Sequence, residues 1–167
     1  MSTSDLLSTL REFHRERLTL RQRHVAVARQ VGRYEFNNTY QYIVNREDTH
    51  LQWLEAAILE LGGTPDQVAE PALPAVSGKD GYVALIQQDA RDAGEFVDRW
   101  RPRLPSIGNA RHRNMMGVIL GETLEQKRFF SQMVAGREDV LGRRANGPGR
   151  SGTDGSVMAD RFIGWTG

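Results

Sequence analysis

Residues 36–61 read FNNTYQYIVNREDTHLQWLEAAILEL, and this stretch decides the fold. Phe36, Tyr40, Ile43, Glu47, His50, Leu54, Ala57 and Leu61 follow one another in alternating steps of four and three. That spacing is one buried seam of an amphipathic helix. Glu47 and His50 sit inside the seam, where an unpaired ionisable group is costly to bury. A Glu-x-x-His step puts both side chains on one face a turn apart, and a metal ion is the partner that best suits a carboxylate beside an imidazole.

Working outward, three more helical segments are readable. The first runs from about Ser4 to Val31 with a cap-like Ser2-x-x-Asp5 start. Leu6, Leu7, Leu10, Phe13, Leu18, Val25, Ala28 and Val31 give it an apolar face. Gly32 separates it from the second helix, which stops at Leu61-Gly62-Gly63-Thr64-Pro65. A Pro-, Gly- and Ala-rich connection then runs from Gly62 to Gly81, long enough to cross the length of a bundle. The third helix starts near Ser77 to Asp80 and ends before Pro102, with the seam Tyr82, Ile86, Asp89, Ala93, Phe96, Trp100. The fourth starts near Ser106 or Asn109 and runs to about Gly136, with the seam Met115, Ile119, Glu122, Gln126, Phe129, Met133. The sequence therefore predicts an all-α, antiparallel four-helix bundle over residues 1–136. Residues 137–167 form a Gly-rich linker and an irregular C-terminal tail. Val157, Met158, Phe162, Ile163 and Trp165 make the tail's end apolar, so it either packs on its own bundle or serves as a docking segment for a partner.

Composition narrows the function. The chain has 167 residues and no cysteine, which excludes disulfides, thiolate metal sites and cysteine nucleophiles. A net charge of +1 argues against a dedicated nucleic-acid binder. No apolar run approaches the roughly 18 residues of a membrane span, and the start lacks a secretory signal. A cytoplasmic protein with no membrane or nucleic-acid partner is expected, associating as a homo-oligomer. No P-loop, nucleophile elbow or dinucleotide turn is present.

The two halves repeat. A shift of 75 residues lays Glu47 on Glu122, His50 on Glu125, Val44 on Ile119 and Leu54 on Phe129. The same shift lays His14 on Asp89. Two helical hairpins with ionisable groups at matching positions suggest a bundle with a two-fold site.

In these residues the chain resembles the ferritin-like superfamily, of the rubrerythrin and bacterioferritin type. That family builds a di-metal carboxylate site from one Glu on each of two helices and one Glu-x-x-His on each of the other two. The resemblance covers about residues 4–136. It implies that Glu47 and His50 are the first Glu-x-x-His, and that Glu122 is the Glu of the second. Asp89 falls at the place of a single carboxylate. The chain departs from the pattern at His14, where the family has Glu, and at Glu125, where it has His. The inventory His14, Glu47, His50, Asp89, Glu122 and Glu125 keeps the family's total of two histidines and four carboxylates. The resemblance implies one or two Fe or Mn ions and non-haem oxidoreductase chemistry on dioxygen or peroxide, of ferroxidase or peroxidase type. Iron storage in a multi-subunit cage is a further expectation.

A rival reading needs no metal. Arg17 and Arg21 follow His14 on nearly the same face of the first helix. A guanidinium can clamp Glu47 or Glu122 in a bidentate pair and neutralise the core acids. The chain is then a helical interaction or structural module. Glu12, Glu16, Asp92 and Glu95 read as solvated flanks, and His24 and His112 as ordinary polar residues. Tyr40 reads as a core aromatic or a hydrogen-bond donor near the site.

Overall fold

The computed structural model describes residues 1–142 as an all-α bundle of four long helices. These are α1 (Thr3–Ala28), α2 (Tyr34–Glu60), α3 (Val83–Trp100) and α4 (Ala110–Val134). Local chemistry sets their ends. Ser2 caps α1 through the Asp5 amide, and the Asp5 carboxylate returns a bond to the Ser2 amide. Asn109 caps α4 by accepting from the His112 amide at 3.1 Å. Gly62 at φ +82° and Gly136 at φ +84° terminate α2 and α4 in the left-handed region that glycine adopts without strain. The sequence ends α3 before Pro102 and starts the next helix near Ser106 or Asn109, and says nothing of the link between them. A 3-10 helix over Arg101–Ser106 carries the chain to α4, with Pro105 inside it and Ile107 buried behind it.

Antiparallel packing follows from the side-chain ties. His14 meets Glu55 while Arg21 meets Asp48, so α1 and α2 run in opposite directions. Arg46 meets Glu122 while Arg111 meets Glu60, so α2 and α4 do the same. Arg23 meets Asp89 while Glu16 meets Arg99, which makes α1 and α3 antiparallel. The end of α2 and the start of α3 therefore lie at opposite ends of the bundle, and the connection between them crosses its full length. It does so along α1. Asp66 accepts from Arg11 and Arg15, the Val68 carbonyl from Gln22, and Glu70 from Arg29. The Pro74 carbonyl then accepts from Gln30.

The apolar core falls into two blocks. One holds Leu10, Phe13, Leu54, Ile58, Phe96, Trp100, Met116 and Ile119, with Phe13 and Trp100 edge-to-face at 4.9 Å. The other holds Val27, Phe36, Tyr40, Ile43, Ile86, Phe130, Met133 and Val140. Burying each large side chain contributes about 1.5–3 kcal/mol, and these blocks supply the main driving force. Val140 and the pair Arg33–Glu138 show that the chain still packs on the bundle past residue 136. The apolar end of the tail, Val157 to Trp165, expected either to pack on its own bundle or to dock a partner, lies outside the described residues.

One expectation for α1 needs correction. Its buried face holds Leu6, Leu10, Phe13, His14, Arg17, His24, Val27 and Ala28, while Leu18 and Val25 are only part-buried. Apolar residues alone place the middle of the face one position too far along. The polar side chains at 17 and 24 take the inward positions because they have partners there.

Candidate functional site

Between the two apolar blocks lies a layer of charge. Arg17, Glu47, His50 and Asp89 are each 0 % exposed, with His24 and Gln126 nearly so. Each is carried inward by its helix seam: Arg17 and His24 on α1, Glu47 and His50 on α2, Asp89 on α3, Gln126 on α4.

Arg17 is at the centre. Its Nη1 lies 3.3 Å from Glu47 Oε2. Its Nη2 donates to Gln126 Oε1 at 3.0 Å and to His50 Nδ1 at 3.3 Å. Burial lowers its pKa while Glu47 and Glu122 oppose that effect, and a guanidinium stays charged throughout the physiological range. His24 Nδ1 donates to Glu47 Oε1 at 2.6 Å, and its Nε2 lies 3.9 Å from Asp89 Oδ1. Burial works against its cation, but the charge and hydrogen bond of Glu47, with Asp89, hold its pKa above the ordinary histidine value. Burial likewise disfavours the Glu47 carboxylate. His24 and Arg17 outweigh it and keep its pKa below the ordinary glutamate value.

His50 behaves differently. Its Nε2 donates to Glu122 Oε2 at 2.5 Å, and its Nδ1 accepts from Arg17. One ring nitrogen donates and the other accepts, which is the neutral imidazole. Burial, reinforced by Arg17, sets its pKa below the ordinary histidine value against the pull of Glu122. Glu122 is 30 % exposed and is also clamped by Arg46, Nε to Oε1 at 2.7 Å and Nη2 to Oε2 at 2.9 Å. Burial opposes its charge, yet the hydrogen bonds from His50 and Arg46 bring its pKa down to about 2. At the far side Asp89 accepts from Arg23 at 2.6 Å and from the Tyr40 hydroxyl. Burial, then the charge of Asp89, push the Tyr40 pKa well above its ordinary value.

The expected ligands therefore separate into groups. Glu47, His50, Asp89 and Glu122 share the layer, but cationic side chains stand among them. His14 is buried apart and meets Glu55 at 3.3 Å. Glu125 is on the surface, paired with Arg128 one turn on. The two residues expected to exchange roles thus have separate partners. Arg21 pairs with Asp48 on the flank and not with the core acids. Glu12 and Glu16 do lie on a flank, held by Arg103 and by Arg99 with Trp100.

Three members escaped the sequence reading, Arg23 on the Asp89 side among them. His24 stands seven residues after Arg17, two turns along the same face, and that spacing is its signal. Arg46 is adjacent to Glu47 but projects toward α4, a direction no local pattern reveals. Tyr40 is both a core aromatic and a donor to the site.

Among the described residues, no group of three or more His, Asp or Glu side chains is placed to hold a metal ion. The donor chemistry points the same way. The layer's atoms without a hydrogen-bond partner include Arg17 Nε, Arg17 Nη1 and Gln126 Nε2, all donors. Only Glu47 Oε2 is an unsatisfied acceptor there, and it faces Arg17 Nη1. A cation needs lone pairs, and this arrangement has a surplus of N–H groups. The residues as arranged do not fit a di-metal centre.

The fold and site thus define an all-α four-helix bundle with a buried ionic layer. Among the described residues, no helix is long and apolar enough to cross a membrane. Comparison with protein-family models, curated proteins and solved structures finds no significant match.

Proposed function

We propose that this chain is a helical interaction module of ferritin-like shape, whose core acids are neutralised by arginine and histidine in place of metal. Arg17 carries this reading. Its fully buried guanidinium reaches Glu47, His50 and Gln126 together, in the space where the resemblance implies metal. A buried carboxylate needs a compensating charge, and Arg17 and His24 supply it. The layer then favours the register in which Arg17 and His24 meet Glu47 and Arg23 meets Asp89. Trp53 and Val118 on the surface supply apolar contact area for a partner.

The non-haem iron or manganese reading, with oxidoreductase chemistry on dioxygen or peroxide, keeps one supporting observation. Glu47, His50 and Glu122 lie in one layer, and Glu122 reaches solvent. Metal analysis separates the two. Protein purified without a tag or chelator, from cells grown with added iron and manganese, is expected to hold far less than one ion per chain. About one or two ions per chain would overturn the arginine-core reading.

A further inference from the structure

We propose that the α2–α4 face is the contact surface of a two-fold dimer of this chain, centred on Trp53 and Val118. Trp53 is 39 % exposed and Val118 is 51 % exposed. They stand on facing antiparallel helices, between ion pairs that tie the same seam. On one side of them Arg46 holds Glu122, and on the other Arg111 holds Glu60. Beyond Arg46 the Tyr42 and Phe129 rings meet at 5.9 Å. The face thus has a bulky apolar centre and a rim of both charge signs, the anatomy of a specific protein contact. The Trp53 ring already rests on the His50 ring at 5.5 Å, so it is held in place before any partner arrives.

Charge complementarity identifies the occupant as a second copy. A two-fold axis across the helices sets Trp53 against Trp53 and Val118 against Val118, with the helices antiparallel. Glu60 lies seven residues after Trp53, and Arg46 lies seven before it. The axis therefore brings Glu60 over the partner's Arg46. Glu125 lies seven residues after Val118, and Arg111 seven before it. The axis brings Glu125 over the partner's Arg111. Two turns of helix span about 10.5 Å, so each pairing sits at the rim, where opposite charges guide association and like charges block it. Such a dimer also covers Glu122, closing the partly exposed end of the ionic layer.

This inference names the partner of the interaction module proposed above. Its failure is distinguishable from failure of the arginine core, because metal content tests the core and molar mass tests the face. Light scattering and sedimentation of the full chain at tens of micromolar are expected to give a dimer. Val118→Arg is expected to give a monomer with unchanged helix content. Arg111→Glu should weaken the dimer about tenfold, equivalent to about 1.4 kcal/mol, and adding Glu125→Arg should restore it. The chain has no cysteine, so a single introduced thiol reports geometry directly. Val118→Cys should oxidise to a covalent dimer, while Leu124→Cys should not. A monomeric full chain overturns the proposal. So does a dimer that survives Val118→Arg and fails to cross-link through position 118. A dimer that appears only after residues 143–167 are removed also overturns it, since the chain's own tail would then cover this face.

Discussion

Glu47 and Glu122 stand at matching positions in the two hairpins, yet the bundle treats them differently. Glu47 is sealed inside, with Arg17 and His24 as its counter-charges. Glu122 is 30 % exposed, with His50 and Arg46 as its partners. Each carboxylate has one arginine and one histidine, but Glu47 is fully buried beside a histidine held as a cation, while Glu122 reaches solvent and takes two hydrogen bonds from Arg46. Glu47 has no water to fall back on, so its partners are obligatory. Glu122 can trade a lost partner for solvent, so its partners are refinements. The two histidines follow suit. His24, between two acids, has its pKa raised. His50, between an acid and Arg17, has its pKa lowered.

The largest expected effect is at Arg17. Arg17→Met leaves Glu47 buried with one counter-charge fewer and should cost about 3–5 kcal/mol in denaturant unfolding. Adding Glu47→Leu should recover most of that loss, because an apolar layer of similar volume needs no compensation. If the double variant is as unstable as the single one, the damage is to packing and not to charge.

Arg46→Met is the matched experiment on the other side. Its expected cost is about 0.5–1 kcal/mol, since Glu122 regains water. Equal losses from Arg17→Met and Arg46→Met would erase the distinction between the two glutamates.

The smallest effect is read from pH. The Glu122 pKa is lowered from 4.5 to about 2, so its contribution is present above the unfolded value and fades as pH falls from 4.5 toward 2. Glu122→Gln should flatten that acid limb of the stability curve. His24 has the opposite sign. Its pKa is raised above 6.5, so its contribution is complete below that value and is lost as pH rises through the folded pKa. His24→Asn should remove the alkaline decline and also weaken the acid-side contribution of Glu47, whose pKa His24 helps to lower. An unchanged alkaline limb would mean that His24 is not held as a cation.

The helices were legible because their signals are local. Three seams with three-four spacing, the apolar face of α1, the Ser2 cap, and the breaks at Gly62 and Gly136 need only neighbouring residues. The long connection after Leu61 reads as a crossing loop because a short one cannot join parallel diagonal helices. All six expected seam positions of α3 are buried, from Tyr82 to Trp100. The site was legible only in part. The burial of Glu47, His50 and Asp89 follows from their seams, and the sequence named Arg17 and Arg21 alike as rivals to metal, of which only Arg17 reaches the core acids.

The sequence by itself thus determined four amphipathic helices, their ends, and that ionisable groups are carried into the core. Only the tertiary structure decided which charge meets which. Periodicity fixes the inward face of a helix, but it does not give the helix's depth or rotation against its neighbours. A shift of one turn moves a side chain by about 5.4 Å, enough to exchange one partner for another. That small displacement puts Arg17 and not Arg21 beside Glu47, turns Arg46 across to Glu122, and leaves His14 and Glu125 with partners of their own.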